Sequence, residues 1–250
     1  MELVFTTPAP YNFSYLHKSL NQHKMKAPLY LIVSMLLFSC SNANSQTKTK
    51  GKWQSLFDGK TLTGWRDMKQ DIPPEKSWVV EKGALVFDPA VGHGSDIITT
   101  RTFKDFEFTA EFKISEGGNS GIKYFLLPNT NLGCEFQIID DKKHADAMLG
   151  ENGDRKTAAL YDIMPPNPNK PYKPAGEWNT IRIITKGNHV EHWLNGAKVL
   201  EYEKGSEAFK EAISRSKFNK TAGFAETTPT PILLQAHGDK VSFRKIKIRE

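Results

Sequence analysis

Gln235 and His237 stand two residues apart in Pro231-Ile232-Leu233-Leu234-Gln235-Ala236-His237-Gly238. A segment this apolar reads as a buried strand. The strand period of two puts the amide and the imidazole on one face and Leu234 and Ala236 on the other. A polar pair in such a place costs stability unless something uses it. The glycine after His237 lets a ligand approach the backbone closely. The same period pairs Glu135 with Gln137 in Cys134-Glu135-Phe136-Gln137-Ile138-Ile139-Asp140, and Lys123 with Gly121. In one sheet, these faces would make a shared concave surface of carboxylate, amides, imidazole and ammonium. An imidazole there can move a proton near neutral pH. Asp140, Asp141, His144 and Asp146 form a second cluster, of hard oxygens and one imidazole, that could hold a divalent cation. Each feature also has a plain reading. A strand with one wet face carries Glu and Gln because they are solvated there, and an acidic loop needs no ion.

The elements that must position these residues are short strands. Phe106–Ile114 alternates strictly, with Phe106, Phe108, Ala110, Phe112 and Ile114 on one side and Glu107, Thr109, Glu111 and Lys113 on the other. Ser77–Glu81 and Ala84–Phe87 read as a hairpin around Lys82-Gly83. Further strands are expected at Trp53–Phe57, Ile97–Thr100, Ile122–Leu126, Cys134–Asp140, Trp178–Thr185, His189–Leu194, Lys198–Tyr202, Pro231–Gly238 and Val241–Arg249. Gly117–Gly121 is expected as a turn, 141–161 as a long polar insertion, and Glu207–Phe218 as the one helix. His189 and His192, beside a hairpin, are expected at the surface. Trp65, Trp78, Tyr161, Tyr172 and Trp178 could stack on sugar rings, although most Trp in a sandwich are core. Many short strands with one short helix give an all-β fold, an antiparallel β-sandwich of jelly-roll type.

The bulk composition excludes several classes. The chain has 250 residues, 38% hydrophobic and 25% charged, with a formal charge of +6. Its Lys and Arg are scattered and no nucleic-acid motif accompanies them, so no nucleic-acid partner is expected. GxSxG, P-loop and GxGxxG motifs are absent. The two cysteines, Cys40 and Cys134, are not expected to pair. Met25-Lys26, the apolar run Leu29–Phe38 and Ser39-Cys40 read as a lipoprotein signal peptide over 25–40, with Cys40 the lipidated residue. Residues 1–24 then read as an upstream extension, Met25 as the true start, and 41–52 as a polar tether to the membrane. The folded domain is expected over 53–250, in the periplasm or at the cell surface, anchored to an envelope membrane.

Taken in order, Leu56-Phe57-Asp58-Gly59-Lys60-Thr61-Leu62-Thr63-Gly64-Trp65, Asn119-Ser120-Gly121-Ile122, Gly133–Asp140, Leu160-Tyr161, Gly176-Glu177-Trp178-Asn179, Leu194-Asn195-Gly196, Leu234–Gly238 and Phe243-Arg244-Lys245-Ile246 resemble the 3-keto-disaccharide hydrolase domain family. That family is abundant among secreted lipoproteins of Bacteroidetes. The resemblance covers roughly residues 53–250. It implies a concanavalin-like jelly roll active on 3-keto-glycosides. By position, the polar residues it implicates are Asn119, Glu135, Gln137, Asp140, Tyr161, Gln235, His237 and Arg244. One motif departs: Arg-Asn-Ile is usual where this chain has Arg244-Lys245-Ile246.

A ketone at C3 of a sugar acidifies the C2 proton. Removing it lets the C1 substituent leave by β-elimination, and adding water completes a net hydrolysis. The chemistry needs a base, an oxyanion stabiliser and an acid. His237 or His144 is the expected base, and Glu135 a proton shuttle or metal ligand. Asn119, Lys123, Gln137, Tyr161, Gln235 and Arg244 are the expected sugar contacts. One divalent cation held by Glu135, Asp140 and His144 could supply the electrophile. The competing reading is a carbohydrate-binding lipoprotein that catalyses nothing.

Overall fold

A computed structural model describes residues 51–74 and 76–250. The signal peptide expected over 25–40, with its expected start at Met25 and lipidated Cys40, and nearly all of the expected tether lie outside the described residues. Thirteen strands and one helix follow in order: β1 (Gln54–Ser55), β2 (Trp65–Asp67), β3 (Trp78–Glu81), β4 (Ala84–Phe87), β5 (Ile97–Thr99), β6 (Phe106–Ile114), β7 (Asn119–Tyr124), β8 (Cys134–Ile139), β9 (Asn179–Lys186), β10 (His189–Leu194), β11 (Ala197–Glu203), α1 (Glu207–Arg215), β12 (Leu233–Leu234) and β13 (Val241–Arg249). They form two antiparallel sheets of the expected jelly-roll sandwich. The larger runs β11-β10-β9-β6-β13-β4-β3, with β1 also pairing β13, and the smaller runs β2-β5-β12-β7-β8.

The core is where alternation predicts. Phe108, Phe112 and Phe243 from the larger sheet and Ile122, Tyr124, Phe136, Ile138 and Leu234 from the smaller are fully buried together. Each fully buried phenyl or branched side chain is worth about 2 kcal/mol. In β13 the apolar positions change phase, Val241 and Phe243 being odd, Ile246 and Ile248 even. The strand absorbs the slip by a bulge between Arg244 and Lys247, with Lys245 at φ +53°.

Several expectations need correction. The first strand shrinks to Gln54–Ser55, because Asp58 starts a side-chain turn by accepting the N–H groups of Lys60 and Thr61. The residues from Asn119 do not turn but open β7. The helix is capped by Ser206 and ends at Arg215, three residues early, where Ser216 leaves helical geometry. The strand expected over Pro231–Gly238 keeps only Leu233 and Leu234 as regular strand. Its extended path continues, since the Gln235 N–H donates to Gly121 O and the Ala236 N–H to Asp96 Oδ1. His192 is not at the surface but fully buried, on the inward phase of β10 with Val190 and Leu194. Its Nδ1–H donates to Ala158 O at 3.0 Å. Its Nε2 therefore accepts the Tyr124 hydroxyl at 2.5 Å, and the Tyr202 hydroxyl in turn donates to Tyr124 at 2.9 Å. Both ring nitrogens are satisfied, which is what makes a buried imidazole tolerable.

The polar insertion returns to the sheet. The Ala158 N–H donates to Gln137 O, the Gln137 N–H to Ala159 O, and the Tyr161 N–H to Glu135 O. Residues 157–161 thus line the outer edge of β8 and hold Tyr161 beside its outward side chains.

Candidate active site

The floor of the site is the face of the smaller sheet turned away from the core. In the β7–β8 register Lys123 pairs with Glu135 and Gly121 with Gln137. Lys123 Nζ lies 3.4 Å from Glu135 Oε2, with both side chains under a tenth exposed. Lys123 Nζ also donates to Asn131 O at 3.2 Å. Gly121 makes room for this pair: a Cβ there would come within 2.2 Å of Glu135 Oε1. Burial pushes the Glu135 carboxyl above its ordinary range, against the pull of Lys123, Lys217 and His237.

Three walls rise from this floor. Gln235 and His237, on the extended chain after β12, make one with Asn119. Asn119 is placed by its own N–H, which donates to Asp239 Oδ2, and Gln235 by its carbonyl, which accepts the Ser120 hydroxyl. The side-chain oxygens Asn119 Oδ1 and Gln235 Oε1 are both buried without any hydrogen-bond partner. Tyr161, Lys217 and Phe218 make the opposite wall, and Asn131–Gly133 the third. The Tyr161 hydroxyl donates to Asp146 Oδ2 at 2.9 Å, and Arg155 bridges Asp146 to Asp162. Lys217 is fixed by its N–H, which donates to Asp162 Oδ2, and its ammonium sits 4.1 Å over the Tyr161 ring. Burial lowers the Lys217 pKa, against the pull of Glu135 and Asp162. The cavity between the walls is about 90 Å³.

At the rim, His144, His237 and Asp239 bring ligand-type atoms within 4.8 Å of one another. The His144 Nδ1 accepts the Asp146 N–H at 3.1 Å, capping the short 3₁₀ turn Ala145–Met148. A neutral ring accepting at Nδ1 carries its proton on Nε2. His144 is therefore a donor at that edge, whereas a metal-bound histidine usually donates its other ring N–H outward.

The structure gathers Asn119, Lys123, Glu135, Gln137, Tyr161, Gln235 and His237 into one pocket, with His144 beside His237. It does not assemble the expected cation set of Glu135, Asp140 and His144. Burial opposes ionisation of Asp140, but the N–H groups of Gly117, Lys142 and Lys143 hold it below the usual carboxylate range. Those bonds use its oxygens for the turn that precedes β7 and the turn that follows β8. Arg244 is also misplaced by the sequence reading. It lies on the outer face of the larger sheet, with Nε 2.6 Å from Glu111 Oε2 and its guanidinium 4.0 Å over the Trp178 ring. The sequence reading missed Asp239, which the period of two from His237 would have found. It missed Lys217 because the expected helix ran over it.

Residues 52–249 match the model of the 3-keto-alpha-glucoside-1,2-lyase-like domain. The chain belongs to this family. A Bacteroides thetaiotaomicron protein named 3-keto-disaccharide hydrolase is 35% identical over 227 residues, 78% of this chain and 77% of that one. Two crystal structures of Parabacteroides distasonis proteins, each provisionally named a glycosyl hydrolase, share the fold. One is 33% identical with a TM-score of 0.69, covering 80% of this chain and 93% of its own. The other is 28% identical with a TM-score of 0.63, covering 80% and 100%. The departure at Lys245 now has a physical reading. Its left-handed backbone is one that Asn adopts more readily than Lys, so the position serves the bulge in β13, remote from the pocket.

Proposed function

We propose that the protein hydrolyses 3-keto-glycosides by elimination and hydration, in the cell envelope to which a lipid on Cys40 anchors it. The observation that carries this reading is the pair of buried, unpartnered acceptors, Asn119 Oδ1 and Gln235 Oε1, facing a buried Lys123–Glu135 pair. Buried acceptors cost free energy until a donor arrives, and sugar hydroxyls are such donors.

In this reading His237 takes the C2 proton. Asp239, within 4.8 Å, stabilises the imidazolium that forms, as a carboxylate behind a catalytic histidine does. The Lys123 ammonium, 3.4 Å from Glu135, faces the oxygen at C3 where negative charge develops. Glu135, Gln137, Asn119 and Gln235 accept or donate to the ring hydroxyls, and Tyr161 bounds the far side. The electron pair of the C2–H bond forms a C1=C2 double bond as the C1–O bond breaks. Water then adds at C1, and C2 recovers its proton. A divalent cation would take His144, His237 and Asp239 as ligands, at the expense of the bond from His144 to Asp146.

The test is turnover of a 3-keto-disaccharide by the purified chain, with and without chelator. His237→Ala should lose ~10²- to 10⁴-fold in kcat, the usual worth of a positioned general base, with the fold intact by circular dichroism. Undiminished turnover in that variant removes His237 from the mechanism. Loss of wild-type activity on chelation would make the rim cluster a metal centre. Binding of an unmodified disaccharide with no turnover of its 3-keto form would make the protein a carbohydrate binder.

A further inference from the structure

A second cavity adjoins the first. It lies between the 150–155 loop and the end of α1, with a volume of about 380 Å³, and is lined among others by Asp154, Arg155, Ile163, Ala212 and Arg215. The two cavities share one lining residue, Lys217. Its ammonium rests over the Tyr161 ring at 4.1 Å and near the Phe218 ring at 5.2 Å. Among the described residues it has no hydrogen-bond acceptor. Lys217 is an exposed residue, so its three donors are open to solvent and to a ligand oxygen alike. The second cavity has charged walls and a few apolar patches, a mixture that suits a hydroxyl-rich ring better than an apolar group. A glycoside whose first ring enters the first pocket has its bridging oxygen toward the pocket's mouth, and the residue that lines both cavities is Lys217.

We propose that the second cavity is the leaving-group subsite, that it takes a second sugar ring, and that Lys217 Nζ contacts the oxygen between the rings. The proposal rests on the 3-keto-glycoside reading and locates on this chain where the second ring of its substrate would sit. Lys217 and His237 stand on opposite walls, the disposition that suits an anti elimination, in which the C2 proton and the C1 oxygen leave from opposite faces of the ring. As the C1–O bond breaks, its electron pair goes to the oxygen, which takes a proton from the Lys217 ammonium. In the hydration step the attacking water returns a proton to the amine while His237 returns one to C2, so both groups end as they began. Burial, which lowers the Lys217 pKa, makes the ammonium a better acid.

The test uses the full chain and three substrates: a 3-keto-disaccharide, methyl 3-keto-glucoside and nitrophenyl 3-keto-glucoside. Arg215→Trp places a bulky ring at the mouth of the second cavity, on an exposed helix position far from the reacting atoms. It should lower kcat/KM for the disaccharide about tenfold or more and leave the methyl glycoside within twofold. Lys217→Ala should lose ~10²-fold or more on the disaccharide and methyl glycoside and little on the nitrophenyl glycoside, whose leaving group departs without a proton. If the wild type is active and Arg215→Trp affects both natural-type substrates alike or neither, the subsite is wrong. Equal losses on all three substrates in Lys217→Ala would remove its role as acid. A wild type inactive on all three sinks the underlying 3-keto-glycoside reading and the subsite with it.

Discussion

The outer faces of the two sheets carry similar residues to different ends. On the larger sheet, Glu107 lies 2.5 Å from Arg182 and 2.6 Å from Arg249, and Glu111 lies 2.6 Å from both Arg244 and Lys245. Each carboxylate has two cations, and Trp178 and Trp193 lie under guanidinium groups. On the smaller sheet, one carboxylate faces one ammonium at 3.4 Å, and two amide oxygens beside them have no partner. The first face is charge-paired, its Arg182 Nε lacking only hydrogen-bond geometry to Glu107 at 2.5 Å, and the second is waiting for a ligand. Residue type does not separate them, since alternating Glu, Lys and Arg occur on both. Satisfaction of the buried groups does.

Substitutions can break or sharpen this contrast. The largest effect is expected from Lys123→Met, which strands Glu135 in a buried site. A loss of about 3 kcal/mol or more in denaturant unfolding is expected, with turnover abolished. Adding Glu135→Gln should restore much of the stability and none of the activity. If the single variant is as mild as a change on the larger sheet, the two faces are energetically alike.

The His192 network ties the two sheets together, and it sets a pH dependence. Burial holds His192 at about 4, below its unperturbed 6.5. The unfolded chain therefore binds a proton near pH 6.5 that the folded chain refuses until about pH 4. Stability contributed by the neutral ring is full above pH 6.5 and is lost as pH falls toward 4, on the order of 3 kcal/mol in all. Chemical denaturation of wild type and His192→Gln at pH 7 and pH 4.5 measures it. The difference between the two proteins should shrink at the lower pH.

Gly121→Ala comes next. The new methyl must displace the Glu135 carboxylate, at a cost of about 1–3 kcal/mol and at least about tenfold in kcat/KM. Unchanged kinetics would mean that Glu135 does not need its place. The mildest is Arg244→Ala, on the charge-paired face. Losing an ion pair and a contact with Trp178 should cost about 1 kcal/mol and leave kinetics unchanged. A loss of activity there would return Arg244 to the site.

The sequence made the fold readable where patterns were strong. Phe106–Ile114 needed only its alternation, and the motif order carried the pocket's floor, because a period of two fixes which side chains share a face. Burial balance is not a pattern of that kind. Arg244 and Gln235 both stand in motif strands, and only the three-dimensional neighbours show that one is paired and the other not. Lys217 was hidden for a different reason. Its helix ends where Ser216 departs from helical geometry, a one-residue event that periodicity smooths over. His192 was misjudged because its burial depends on Tyr124 and Ala158, residues 68 and 34 positions away.

The return of residues 157–161 to β8 has a consequence for how the protein survives in solution. β8 is the last strand of its sheet, and an uncovered edge strand invites pairing with other chains. The segment that sets Tyr161 in the wall is thus also the guard of that edge. Substitutions in it would be felt first as aggregation and poor yield, so a surviving variant library would under-represent this wall whatever its share in the chemistry.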